Sequence, residues 1–212
     1  MIERAPFLLK TTDERRADTL AKLGALLPDC VSRLKAAGAR NFSLWRAENL
    51  IFGYFETADL ASLRAAGAVV REFAAQLDDA AELLASPGNM RRMYTALGQP
   101  RPDKSKLGHR VFMTRLKPGM AEEYRERHAA IETDDAPEGP INNFTIWNCG
   151  DYICGYAELD EGFVIDRSAE GMEKDRPWET AMLEVMDWLT DDVNSLFGFT
   201  HEPVSCLYRW TE

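Results

Sequence analysis

The stretch Asn143-Phe144-Thr145-Ile146-Trp147 decides the fold, because nearly the same letters occur earlier as Asn41-Phe42-Ser43-Leu44-Trp45. Both stretches alternate in polarity, which predicts a β-strand in each. A second strand pattern follows each one, at 50–56 and 152–158, and both of these contain a Gly-Tyr pair. Two matched segments at one offset of 102 positions predict a tandem duplication, with one β-hairpin in each copy.

Around each hairpin, the patterns of apolar residues predict the order strand, helix, strand, strand, helix, strand. Asp59 is expected to cap the second helix, and Pro28 is expected to kink or split the first. In the first half the predicted elements are strand 5–10, a helix from about 11 to 38, strands 41–45 and 50–56, a helix of roughly 60–84 and strand 91–97. In the second half they are strand 110–115, a helix to about 131, strands 143–147 and 152–158, a helix of roughly 172–196 and strand 204–210.

A βαββαβ unit is the ferredoxin-like split βαβ arrangement, whose antiparallel sheet leaves one face without helices. Two such units in one chain can cover each other's bare faces. The sequence therefore predicts an α+β fold in which two tandem ferredoxin-like units form a pseudo-dimeric α+β barrel. The predicted divisions are residues 1–97, a linker at 98–108 that is rich in proline, glycine and charge, and residues 109–212.

Composition narrows the classes of function. The 212 residues include 25 basic and 35 acidic ones, for a net charge of −10, which argues against nucleic acid or an anionic membrane surface as partner. The four cysteines form no C-x-x-C pair and have no histidine cluster nearby, so neither a metal site nor a disulfide framework is predicted. With no apolar leader and no run of 18 apolar residues, a cytoplasmic protein is expected.

One of the three histidines, His128, follows Tyr124 by four positions on the predicted third helix. Residues four apart share a helix face, so the phenol and the imidazole project together. At an offset of 105 the first half carries Thr19 and Leu23 instead, so the scaffold does not itself require the pair. An interior histidine can act as general acid or base near neutral pH, with Tyr124 orienting it, or it can simply be a satisfied core residue.

The second half resembles the L-rhamnose mutarotase family over about residues 109–210, and the first half resembles it more faintly over 4–97. The resemblance rests on Phe112-Met113, on Glu122-Glu123-Tyr124-Arg125-Glu126-Arg127-His128, on Asn143-Phe144 and on Arg176-Pro177-Trp178. It implies a dimeric α+β barrel that interconverts the α and β anomers of a deoxy-sugar without metal or cofactor. It also implies that His128 is the proton donor and that Tyr124 contacts the sugar.

The chain departs from the family pattern at several positions. Phe144 occupies a position where the family has a tyrosine. Pro177-Trp178 occupies the position of a tryptophan pair in the family, so only the second tryptophan is kept. Trp178 and Trp147 are candidate walls for the apolar face of a sugar, with ordinary core packing as the alternative for both. A partner carboxylate for His128 is sought among the acidic residues just after it, which are Glu132, Asp134 and Asp135.

The leading hypothesis is a cofactor-free, mutarotase-like isomerase acting on a monosaccharide, with catalytic His128 and Tyr124 and with Phe144, Trp178 and Trp147 binding the substrate. A homodimer is compatible with this class of fold. Two alternatives stay open. One is another enzyme of the same barrel class, either haem-binding or a cofactor-free monooxygenase, and the other is a non-catalytic protein that binds a small ligand.

Overall fold

The computed structural model describes residues 2–131, 139–166, 168–189 and 204–211. Its elements divide between two compact units, Met1–Met90 with Ser205–Glu212 and Arg91–Val204. The strands are β1 (Glu3–Lys10), β2 (Arg40–Ala47), β3 (Leu50–Thr57), β4 (Glu82–Ala85), β5 (Arg91–Ala96), β6 (Gly108–Leu116), β7 (Ile141–Cys149), β8 (Tyr152–Leu159), β9 (Met186–Trp188) and β10 (Ser205–Trp210). The helices are α1 (Arg16–Ala36), α2 (Leu60–Leu77), α3 (Ala121–Ala129) and α4 (Ala169–Met182).

Each unit contains one five-stranded antiparallel sheet, and the two sheets have the same strand order. The first unit has the order β10-β2-β3-β1-β4, and the second has β5-β7-β8-β6-β9. Strands β4 and β9 occupy the place of the fourth ferredoxin-like strand, beside the first strand of each half. The α+β fold class and the two predicted hairpins are confirmed.

The last predicted strand of each half lies in the sheet of the other half. Strand β5 pairs with β7, and β10 pairs with β2. The compact units therefore differ from the predicted divisions at 1–97 and 109–212 by this exchange of one edge strand each.

Two predicted helices are too long, because the short strands β4 and β9 lie within the ranges predicted as helical. Helix α2 ends at Leu77, where Asp78 takes a positive φ of 56°, rather than near 84. Helix α4 ends at Met182 rather than near 196, and residues 190–196 of that predicted helix lie outside the described residues. The predicted cap is confirmed, since the Ser62 amide donates to Asp59 Oδ1 at 2.8 Å. Helix α1 runs unbroken through Pro28, so the predicted split is wrong.

The repeated letters mark equivalent backbone features in the two hairpins. Asn41 and Asn143 have φ values of 50° and 53°, and the strand register shifts beside each of them, as in a β-bulge. Gly155 packs against the ring of Phe112, where an added Cβ would lie 2.1 Å from a ring carbon. Gly53 and Phe7 make the same contact in the first unit, so each repeated glycine leaves space for an aromatic ring.

A buried polar cluster anchors the predicted linker in the second unit. Lys104 lies in that linker and is only 7% exposed, and its Nζ donates to both oxygens of Glu158 at 2.8 Å. Tyr156 and Asn143 also donate to Glu158 Oε1, at 3.3 and 3.1 Å. The Lys104 ammonium balances the charge of a carboxylate that is fully buried.

No helix in the part of the chain that the structure describes is long and apolar enough to cross a membrane.

Candidate active site

Helix α3 has one buried face, and Tyr124 and His128 form it. They are 2% and 6% exposed, whereas the helix is otherwise strongly polar. Their rings stack with centroids 4.4 Å apart and planes 28° apart. The spacing of four residues therefore brings the phenol and the imidazole together, as the sequence predicted.

The backbone of α3 fixes the state of the imidazole. His128 Nδ1 lies 3.0 Å from the carbonyl oxygen of Tyr124. Because a carbonyl can only accept, Nδ1 carries the hydrogen, and the lone pair of the neutral ring is on Nε2. Nε2 makes no hydrogen bond with the residues that the structure describes.

The two rings line a cavity of about 200 Å³ in the second unit. Strands β5, β6, β7 and β9 and helices α3 and α4 contribute to it. The lining residues are Tyr94, Arg110, Phe112, Tyr124, His128, Ile131, Phe144, Ile146, Asp175, Trp178, Glu179, Met182, Met186 and Trp188.

Aromatic side chains surround His128 inside this cavity. The Trp178 ring meets the imidazole edge-on, with centroids 5.0 Å apart, and the Tyr94 ring lies 5.5 Å away. Tyr94 also packs against Phe144 at 5.6 Å. Flat apolar walls of this kind suit the apolar face of a sugar ring or of another small cyclic molecule.

Helix α4 adds a carboxyl group that was not among the predicted site residues. Glu179 follows Trp178 directly and is only 7% exposed. The indole of Trp188 donates to Glu179 Oε2 at 3.2 Å. The other oxygen, Oε1, makes no hydrogen bond with any described residue. The signal in the sequence was the spacing of positions 175, 178, 179 and 182, which places all four on one helix face.

Burial shifts the acid–base properties of these groups in opposite directions. It lowers the pKa of His128 below the ordinary 6.5, although the hydrogen bond to the Tyr124 carbonyl opposes the shift. It raises the pKa of Glu179 to about 7, against the opposing effects of the Trp188 indole and the Arg110 guanidinium. Burial also raises the pKa of the Tyr124 phenol, which therefore stays protonated.

Arg110 is the cation among the lining residues. Its guanidinium carbon lies 5.4 Å from the ring centre of Phe112 and 5.9 Å from that of Phe144. Aromatic faces attract a cation at such distances. The cavity therefore combines a neutral imidazole, a carboxyl group, a phenol and a guanidinium.

The structure brings together most of the predicted site residues. His128, Tyr124, Phe144 and Trp178 line the same cavity. Trp147 does not line it. That residue is 4% exposed, and because neighbouring strand residues face opposite ways, it points away from the side on which Ile146 reaches the cavity. The candidate partner carboxylates Glu132, Asp134 and Asp135 lie outside the described residues.

The equivalent positions of the first unit carry no such site. Leu23 is 4% exposed within the hydrophobic core. The Thr19 hydroxyl is fully buried and lies 2.7 Å from the Ala80 carbonyl and 2.9 Å from the Thr11 hydroxyl. The same helix face thus packs as core in one unit and lines a cavity in the other.

Fold and cavity together define an α+β protein with ferredoxin-like units and a small cavity lined by aromatic and titratable side chains. The sequence model of the L-rhamnose mutarotase family matches residues 109–199, which confirms the family resemblance of the second half. The matched region contains His128, Tyr124, Phe144 and Trp178.

Solved structures with a related chain trace are also known. A candidate monooxygenase from Fusobacterium nucleatum is 11% identical, with a TM-score of 0.45, and the match covers 100% of this chain and 97% of that one. A candidate monooxygenase from Lactobacillus acidophilus is 12% identical, with a TM-score of 0.42, and the match covers 98% and 94%. Among curated proteins, none matches this sequence.

Proposed function

We propose that this protein is a mutarotase-like isomerase that exchanges the α and β anomers of a small monosaccharide, such as the deoxy-sugar L-rhamnose. The proposal rests on the position and the hydrogen bonding of His128. Its Nε2 makes no hydrogen bond with the described residues, and it lines a small aromatic cavity within the region that matches the family.

Anomer exchange requires a proton to leave the anomeric hydroxyl and another to reach the ring oxygen, so that the ring opens to a carbonyl. The carbonyl then turns, and the ring closes on its other face. A histidine that is neutral near pH 7 can accept or return the first of these protons. The neutral phenol of Tyr124 can donate a hydrogen bond to a sugar oxygen.

The size of the cavity supports a substrate of this class. A volume of about 200 Å³ is below the ~300–1,000 Å³ typical of pockets for drug-sized ligands. Trp178 and Phe144 supply flat walls for the apolar side of a sugar. Such a cavity favours a single sugar ring over an oligosaccharide or a nucleotide.

Tyr94 compensates for the hydroxyl that Phe144 lacks. The two rings are in edge contact, and Tyr94 also lies against His128, so it places a phenol in the same wall of the cavity. In this proposal Tyr94 binds the sugar in place of the family's tyrosine. The residue belongs to β5, which comes from the first half of the sequence.

A tandem duplication accounts for the scaffold around the site. Tyr94 stands opposite Ile146 in one sheet, and Tyr208 stands opposite Leu44 in the other, with a register shift just before each tyrosine. Tyr208 contacts Phe42, as Tyr94 contacts Phe144. These equivalences support two copies of one ancestral unit, of which the second retained the chemistry.

NMR saturation transfer between the anomers of L-rhamnose tests the proposal. We expect the purified protein to accelerate exchange and His128→Ala to lose at least ~100-fold of that acceleration, as is usual when a general acid or base is removed. His109→Ala is the matched control, because the His109 ring contacts Tyr156 at a tilted angle and does not line the cavity. Undiminished exchange in His128→Ala would rule out the proposed role of the imidazole.

A further inference from the structure

We propose that Glu179 is the second proton-transfer group of this cavity and that it acts on the same bound sugar as His128. The inference rests on the proposed function, since it names the partner that a single histidine needs to open a sugar ring. It replaces the carboxylates sought just after His128 in the sequence with one from a different helix.

One oxygen of the Glu179 carboxyl is held by a hydrogen bond, and the other can contact a ligand in the cavity. Oε2 is fixed by the Trp188 indole at 3.2 Å, whereas Oε1 has no hydrogen-bond partner among the described residues. The residue is nearly buried, and its accessible remainder lines the cavity. Glu179 Oε1 is not among the fully buried atoms that have no partner, so it is accessible from the cavity and can make a hydrogen bond with a ligand bound there.

His128 shows the same arrangement. Nδ1 is fixed by the Tyr124 carbonyl at 3.0 Å, and Nε2 makes no hydrogen bond with described residues. Each group is therefore oriented through one atom and presents another, and both line a cavity of about 200 Å³. In so small a space, one sugar ring can contact both groups.

The charged and titratable groups that line the cavity with Glu179 come from four elements. They are Arg110 on β6, Tyr94 on β5, Tyr124 and His128 on α3, and Asp175 on α4. Arg110 lowers the pKa of Glu179 and Asp175 raises it, but burial has the largest effect and brings the pKa to about 7. Near neutral pH the cavity thus contains a carboxyl group that can either hold or release its proton, together with a neutral imidazole.

These protonation states support a balanced cycle. As the bond from the anomeric carbon to the ring oxygen breaks, the Glu179 carboxyl protonates the ring oxygen and His128 Nε2 takes the proton of the anomeric hydroxyl, leaving a carbonyl. After the carbonyl turns, the Glu179 carboxylate takes the proton back from the attacking hydroxyl while His128 returns its own. The protein ends as it began, and no other reactant is consumed.

Glu179→Gln provides the direct test. It is nearly isosteric and keeps an acceptor for the Trp188 indole, but it cannot transfer the proton. We expect at least ~100-fold slower anomer exchange per protein molecule, while L-rhamnose still binds as judged by quenching of tryptophan fluorescence. Glu173→Gln is the matched control, because Glu173 lies on the same helix, is exposed, and pairs with Arg176 at the surface.

Trp188→Phe gives a second test, which measures the pH dependence of exchange. If the Glu179 carboxyl had only a structural role, this pH dependence would not change. Removing the indole donor takes away an interaction that lowers the pKa of Glu179, so that pKa rises further. Because the acid must be protonated, exchange is lost as pH rises through this pKa, and the variant should lose it at a higher pH than the natural protein. If exchange is lost at the same high pH in the variant and in the natural protein, the proposed role of Glu179 is overturned.

The outcomes separate the two proposals. If the natural protein exchanges L-rhamnose anomers and His128→Ala does not, normal exchange in folded Glu179→Gln overturns the inference alone. If the natural protein exchanges the anomers of no sugar in a panel of monosaccharides, the proposed function fails and the inference fails with it. Loss in both variants, with Glu173→Gln unaffected, supports both.

Discussion

Replacing Glu179 with glutamine should stabilise the protein increasingly as the pH rises. The folded carboxyl has a pKa of about 7, whereas the exposed group in the unfolded chain has its ordinary value of 4.5. Between these values the unfolded chain releases a proton that the folded state keeps, so stability falls as the pH rises. Below 4.5 both states are protonated and there is no penalty, and above 7 the full penalty applies.

The size of the penalty follows from the two pKa values. A difference of about 2.5 pH units, at about 1.4 kcal/mol per unit, corresponds to about 3 kcal/mol. Of this, about 2 kcal/mol falls between pH 5.5 and pH 8.5. That range avoids the pI of 4.9, where the net charge is zero and solubility is lowest. Set against a typical total stability of ~5–15 kcal/mol, a change of this size is readily measured.

Urea denaturation followed by tryptophan fluorescence, at pH 5.5 and at pH 8.5, measures the effect. The quantity of interest is the difference in unfolding free energy between Glu179→Gln and the natural protein, compared at the two pH values. Any constant effect of the amide on packing cancels in this comparison, and so does the titration of His128, which is present in both proteins. An equal difference at both pH values would show that Glu179 is not held with a raised pKa.

Three further substitutions test the packing and the site. Gly155→Ala places a Cβ against the Phe112 ring, so we expect a lower urea midpoint, a loss of ~1–3 kcal/mol, and slower exchange because a wall of the cavity shifts. Lys104→Met removes the buried cation that pairs with Glu158, and we expect a loss of ~3–5 kcal/mol in the same assay, part of which Glu158→Gln should restore. Tyr124→Phe removes a hydroxyl that makes no hydrogen bond with described residues, so exchange should fall up to about tenfold while the urea midpoint stays nearly unchanged.

The parts of the fold that the sequence predicted are those with local causes. The alternating letters of the hairpins and the cap at Asp59 each depend on a few neighbouring residues. The repeated Gly-Tyr pair indicated the two hairpins for the same reason, since Gly155 is required by its close contact with the Phe112 ring. The shared helix face of Tyr124 and His128 was predicted because four residues make about one helical turn.

The parts that the sequence missed depend on distant partners. Strands β4 and β9 are short and contain Glu, Leu, Ala and Met, which favour helices, and pairing with β1 and β6 decides their structure. The exchange of β5 and β10 is equally non-local, because the residues of an edge strand do not determine which distant strand it pairs with. Glu179 was missed because its partner Trp188 lies beyond the end of helix α4, on a strand that was predicted as helix.

Comparison of the two units shows how the cavity and its titratable groups affect the stability of the fold. Where the first unit fills its interior with Leu23 and satisfies Thr19 with hydrogen bonds, the second keeps a cavity, a neutral histidine and a carboxyl with a raised pKa. The cavity and the buried carboxyl with a raised pKa each lower the stability of the folded state near neutral pH. Tyr94, which closes one wall of that cavity, comes from the first half of the sequence through β5. The second half of the sequence alone therefore does not line the whole cavity, because the exchanged strand supplies part of one wall from the first half.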